Sequence, residues 1–143
     1  MPLLAESTVE TDADPAAVWA VWSDLALRPR WHPGLAWARL DGPLAPGTIG
    51  AWKPERARPV AVRVAEVVPG RRLVLVGTHG PPVARGHYEH EVVPRPGSGS
   101  VVTHRMRVTG PLARPIARLF GGALGVFAGE ESTRAVVRLA AEP

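Results

Sequence analysis

The sequence predicts an α+β domain in which a curved antiparallel sheet closes on a long C-terminal helix. Three observations carry this. From residue 35 to about 109 the apolar residues recur with a period of two, in segments bounded by Gly and Pro. The turns between those segments are short, which favours an antiparallel meander over crossover connections. From Gly110-Pro111 onward the apolar spacing returns to steps of three and four. A sheet this long needs a cover for one face, and the last helix supplies it.

Taken in order, residues 3 to 12 mix apolar and polar positions without helix breakers and read as a strand. Asp14-Pro15 is a helix start, with an acceptor side chain at the N-cap and proline at the first helical position. The helix that follows carries Val18, Trp19, Val21 and Trp22, and both tryptophans are assigned to the core. Leu25 to Trp31 reads as a second short helix, broken by Pro29 and ended by Pro33-Gly34. Six strands follow, over 35–41, 47–53, 59–68, 71–79, 84–94 and 99–109. The final helix reaches about Ala140, with Leu112, Ile116, Leu119, Phe120, Ala123, Leu124 and Phe127 along one stripe. Its middle contains Gly121, Gly122, Gly125 and Gly129, each weakening a helix by up to about 1 kcal/mol relative to alanine. Such a helix either packs closely there or bends.

The chain has 143 residues, which fits a single domain spanning 1–143. It has no cysteine, so disulfides, thiolate metal sites and cysteine nucleophiles are excluded. The first ten residues lack the charged start of a signal peptide, and the longest apolar run, 119–128, is too short to span a bilayer. A cytoplasmic location is the default expectation. The net charge is +4, but the arginines are scattered among acidic residues, so a nucleic-acid partner is disfavoured. No P-loop, GxGxxG or HExxH string occurs, and neither a cofactor nor a metal is expected.

The hairpin around Gly97 is the most informative stretch. Pairing symmetric about that residue sets His90 against His104, Tyr88 against Met106 and Val92 against Val102, all on one face. The other face holds Glu89 against Arg105, Glu91 against Thr103 and His87 against Arg107, and reads as the solvent face. Two imidazoles on an apolar inner wall form an acid/base candidate pair, His90 and His104, because burial favours neutral rings that can both donate and accept. Tyr88 is a candidate to hold a substrate oxygen. The alternative is that these rings hydrogen-bond each other or water and only line the interior. Lys53, the single lysine, has nothing around it in sequence that points to a Schiff-base role.

Several strings, in order, resemble the polyketide cyclase/dehydrase branch of the START-like (SRPBCC) superfamily. They are Asp14-Pro15-Ala16-Ala17-Val18-Trp19, Trp22-Ser23-Asp24, Trp31-His32-Pro33-Gly34, Leu40-Asp41-Gly42-Pro43-Leu44, Gly47-Thr48, Glu66-Val67-Val68-Pro69-Gly70-Arg71, Val102-Thr103-His104-Arg105 and Thr109-Gly110-Pro111-Leu112. The resemblance covers residues 5 to 139 and implies a helix-grip fold of about seven strands with a hydrophobic cavity between sheet and helix. His32 stands where the family often has Asn. The cavity would be lined by Val92, Val102 and Met106 from the hairpin, Phe120, Leu124 and Phe127 from the helix, and Trp52, whose inward or outward facing the sequence leaves open. Trp31 and His32 are expected near the cavity mouth, as a cap or as ligand contacts.

The ligand so implied is a small apolar molecule, polyketide-like, aromatic or lipid-like. Two functions stay open: a bacterial-type, cofactor-independent cyclase or dehydratase using His90 and His104, and a carrier or sensor that binds without reaction. A third, an interaction module using the arginine surface, has less support. Nothing in the sequence sets the oligomeric state.

Overall fold

The computed structural model describes residues 3–78 and 84–142, with the backbone alone described over 120–124. Strand β1 (Leu3–Thr11) leads to helix α1 (Pro15–Ser23) and a 3-10 helix (Leu25–Arg30). Six strands follow: β2 (Leu35–Leu40), β3 (Ile49–Pro54), β4 (Val60–Val68), β5 (Arg72–Thr78), β6 (Arg85–Pro94) and β7 (Ser100–Thr109). The chain closes with α2 (Ala113–Gly125), a 3-10 turn (Val126–Ala128) and α3 (Glu130–Ala140). His79, at the end of the predicted strand 71–79, lies outside the described residues.

The seven strands form one antiparallel sheet in the order β1-β7-β6-β5-β4-β3-β2. The meander from β2 to β7 is the predicted one. β1 and β2, neighbours in sequence, are the two opposite edges of the sheet. The segment joining them, residues 12–34, therefore crosses the sheet, and it brings α1 and the 3-10 helix to the inner face. Irregularities at Leu3/Ala5, Leu35/Trp37 and Val64/Glu66 shift the register in three strand pairs. Bulges of this kind bend strands and increase local twist, which is how the sheet curls.

The hairpin register is the one the Gly97 symmetry predicts: His90 opposes His104, Tyr88 opposes Met106 and Val92 opposes Val102. Its turn uses Gly97 and Gly99 at φ +92° and +88°, a region that glycine enters without a Cβ penalty. On the outer face the ion pairs run diagonally. Arg107 Nε donates to Glu89 at 2.9 Å and Arg105 Nη1 to Glu91 at 2.6 Å, and Arg105 also pairs with Glu6. Arg72 joins Glu89 to Glu66. Glu89 is only 6% exposed. This face is thus an ion-pair lattice that covers its own centre rather than a freely solvated surface.

Local signals at the helix starts are met in part. Pro15 occupies the first helical position, but the Asp14 side chain makes no capping bond, and its backbone oxygen receives the Ala17 and Val18 N–H groups. Asp24 is the side chain that caps, accepting from the Ala26 N–H at 3.1 Å at the head of the 3-10 helix.

The final helical stretch is divided rather than continuous. Gly129 is extended (φ −76°, ψ 158°) and separates the 3-10 turn from α3. Of the two readings for the glycine-rich middle, the break at its C-terminal end corresponds to bending. A helix end leaves carbonyls without intrahelical donors, and here that of Phe127 accepts from His104 on the sheet. The Gly129 carbonyl, which takes the Thr133 N–H at the start of α3, also accepts from Ser7 on β1.

Candidate functional site

Three tryptophans, three histidines, Tyr88, Phe127 and one arginine meet between the sheet and the C-terminal helices. The inner-face positions follow from strand alternation: Trp52 on β3, Tyr88 and His90 on β6, His104 and Met106 on β7. Trp52 faces inward and is buried, its ring 4.7 Å from that of Tyr88 in an edge-on arrangement. The crossing segment contributes the rest. A 3-10 helix repeats every three residues, so Leu25, Arg28 and Trp31 share one face, and all three are buried. His32 follows, also buried, with its ring 5.7 Å from Trp52 and 5.6 Å from Phe127. Trp31 and His32 are accordingly inside the cluster and not at a rim: the Trp31 ring lies 5.2 Å from His104 and 5.9 Å from His90.

Each histidine can be assigned a tautomer from its partners. An indole N–H only donates, so Trp22 Nε1 donates to His104 Nε2 at 3.0 Å. His104 Nδ1 then carries the proton, directed at the carbonyl of Phe127 and the hydroxyl of Thr133, each 3.1 Å away. Thr133 is in turn 2.5 Å from Ser7 Oγ, and both hydroxyls reach the Gly129 carbonyl. His90 Nδ1 donates to the Leu73 carbonyl at 2.8 Å, so its Nε2 is the acceptor for Arg28 Nη1 at 3.0 Å. His32 Nδ1 accepts from Arg28 Nε at 3.1 Å, which leaves the proton on its Nε2. The His90 and His104 rings stand edge-on with centroids 5.6 Å apart and are not bonded to each other.

Electrostatics agree with neutral rings. Burial, then the Arg28 charge, holds the His104 pKa down to about 3. The same two causes, in that order, keep His32 and His90 well below the usual imidazole value. Burial raises Tyr88. Arg28 is lowered to about 9 by burial, which still leaves it cationic at neutral pH. Its guanidinium carbon sits 4.4 Å from the Trp52 ring centroid and 4.6 Å from that of Trp31, a cation held between aromatic faces.

Val92, Val102, Met106 and Phe127 are each fully buried on this wall. The side chains of Phe120 and Leu124 lie outside the described residues. Sequence reasoning did not single out Arg28. Its only signal was the three-residue spacing Leu25, Arg28, Trp31, which marks an inward position once the segment is read as a 3-10 helix. The Thr133–Ser7 link left no signal, because it joins residues 126 positions apart.

A family model described as polyketide cyclase / dehydrase and lipid transport matches residues 3–142. The chain belongs to this family, in the polyketide cyclase/dehydrase branch of the SRPBCC superfamily. Solved structures share the family fold. A protein from Thermobifida fusca is 26% identical, with a TM-score of 0.66 over 94% of this chain and 93% of that one. Norcoclaurine synthase from Thalictrum flavum is 15% identical, with a TM-score of 0.71 over 96% of this chain and 86% of the synthase. The di-domain ARO/CYC BexL of the BE-7585A biosynthetic pathway is 18% identical, with a TM-score of 0.62 over 96% of this chain and 50% of BexL. No curated protein sequence matches the chain. As in other helix-grip members of the family, the interior lies between a curled sheet and the C-terminal helices. No described helix is long and apolar enough to cross a membrane.

Proposed function

We propose that this family member takes up a small ring-containing, polyketide-like molecule between sheet and C-terminal helices and promotes its cyclisation or dehydration without a cofactor. The observation that carries the reading is the concentration of neutral imidazoles around one guanidinium inside an otherwise aromatic and aliphatic interior. Enolisation, aldol closure and loss of water each need a proton removed at carbon and another delivered at oxygen. Neutral histidines can do both, and the interior excludes competing water.

The acid/base set proposed is His90 and His104, with His32 added by its place beside Arg28, and Tyr88 as the group that holds a substrate oxygen. His90 and His104 each offer the substrate a lone pair only after releasing Arg28 or Trp22. His32 needs no such exchange at Nε2, which carries a proton. The ligand must also part side chains that are fully buried, so binding goes with an opening of the cluster.

Purified protein incubated with a metabolite extract, followed by mass spectrometry, tests the reading. Loss of a compound with appearance of an isomer, or of a product lighter by the mass of water, supports an enzyme. Alanine at His90, His104 or His32 should then abolish turnover with the fold intact. Unchanged turnover in all three variants sinks the acid/base assignment.

The occupied lone pairs favour one alternative, a carrier or sensor that binds without reaction. It predicts a compound retained unchanged, binding weakened by Met106→Ala or Phe127→Ala, and near-normal binding in the histidine variants.

A further inference from the structure

Among the described residues, Arg28 is a buried cation without a counter-charge. Its side chain is 1% exposed. Its polar contacts from Nε and Nη1 go to two uncharged imidazoles, His32 and His90. All thirteen Asp and Glu residues of the chain are described, and none of them lies within ion-pair distance of Arg28. Its Nη2 is buried with no hydrogen-bond partner, and so is Nε1 of Trp31. These two unspent donors belong to groups in contact, since the guanidinium carbon stands over the indole ring.

Such an arrangement is unfavourable by itself. A buried charge is normally paired and fully hydrogen-bonded, and an unmatched one is costly. Aromatic faces and imidazole acceptors compensate in part, because they stabilise a cation without neutralising it. The histidines also fix the guanidinium in orientation, Nε and Nη1 being held while Nη2 is left over. A fork with two edges anchored and a third donor group unspent suits recognition of a planar oxyanion.

We propose that Arg28 is an anion-recognition residue: the ligand carries an anionic oxygen, as a carboxylate or enolate on an apolar skeleton, that takes the Arg28 Nη2 hydrogens, with Trp31 Nε1 as a neighbouring donor. This rests on the reading of the interior as a small-molecule site and narrows its substrate class. It also places a positive charge where an enolate oxygen develops when a proton leaves the neighbouring carbon, and stabilisation of that kind is a large term in catalysis. Neither Nη2 nor Trp31 Nε1 is exposed in this state, so the anion arrives as the cluster opens.

The test compares 1-naphthoate with its neutral counterpart 1-naphthamide by calorimetric titration of wild-type protein and Arg28→Met. Wild type should prefer the carboxylate by about 10- to 100-fold, the range expected for charge-assisted hydrogen bonds. Arg28→Met should lose that preference, the carboxylate losing more affinity than the amide. Equal binding of both probes by wild type overturns the anion assignment and leaves the apolar site standing.

If neither probe binds, thermal unfolding in acetate or nitrate against chloride, at fixed ionic strength, decides the matter. A rise in wild type that is absent in Arg28→Met keeps the anion site and counts against the ring-containing ligand. No rise in wild type overturns the anion site. Should Arg28→Met fail to fold, Trp31→Phe removes one donor and should reduce the carboxylate preference; an unaltered preference there excludes Trp31 as a donor, and Arg28→Lys, which keeps the charge but not the fork, then tests the guanidinium.

Discussion

Acidification from pH 7.5 to 5.0 should destabilise this protein through its buried histidines. His32, His90 and His104 are neutral in the fold, with pKa values pushed down by burial first and by the Arg28 charge second, His104 to about 3. In the unfolded chain an imidazole titrates near 6.5. The folded values lie below the unfolded one, so the unfolded state binds more protons in the window between them. Stability is therefore full above about pH 6.5 and declines as the pH falls. Each unit below that point removes about 1.4 kcal/mol per histidine. At pH 5.0 His104 alone accounts for about 2 kcal/mol, and His32 and His90 act in the same direction. With an unfolding entropy near 2.1 cal/mol/K per residue, a domain of this size should lose at least about 7 °C in Tm. Circular-dichroism melts at fixed ionic strength across that pH range measure it, above the range in which ordinary carboxylates titrate. His104→Gln should lower stability at pH 7.5 and make the decline with acid shallower. A Tm constant within a few degrees, or an NMR titration showing a native imidazole of the cluster charged at pH 6, would refute the neutral cluster.

Three further outcomes are expected in denaturant or thermal unfolding. Trp22→Phe keeps the ring but removes the N–H that His104 Nε2 accepts, and should destabilise by about 1–3 kcal/mol. Gly99→Ala forces a side chain into φ +88° and drives its Cβ against the Thr11 carbonyl, so it should be worse than Gly97→Ala, where the same strain meets open space. The latter should cost about 1–2 kcal/mol. Glu89→Gln leaves Arg72 and Arg107 short of a buried acceptor, for a loss of about 1–3 kcal/mol, whereas Glu130→Gln on the exposed pair with Arg134 should change stability by less than about 0.5 kcal/mol.

The parts of the fold legible in the sequence are those governed by local rules. Alternation along residues 35–109 and the Gly97 symmetry were enough to place His90 opposite His104, because a hairpin's register follows from its turn. What the sequence left open depends on distant partners. The break at Gly129 is fixed partly by His104 and Ser7 taking up the carbonyls of Phe127 and Gly129, and neither contact is periodic. Trp52 could face either way until β4 and the crossing segment enclosed it. Arg28 was hidden by a general expectation that charges face water. Its neighbours Leu25 and Trp31 bear the opposite message, and only 3-10 geometry joins the three.

The placement of β1 and β2 at opposite edges also bears on how the chain folds. Strands β2 to β7 can pair with their sequence neighbours, each through a short turn. β1 must instead find β7 across a separation such as the 99 residues between Glu6 and Arg105. Loop closure of that length is entropically unfavourable, and non-local pairing slows folding. Trp22, Arg28, Trp31 and His32 all ride on the segment this pairing ties down. A chain with only its meander formed would hold the wall with His90 and His104 but not the guanidinium. On this ordering the proposed recognition site is a late product of folding, completed when the first strand docks.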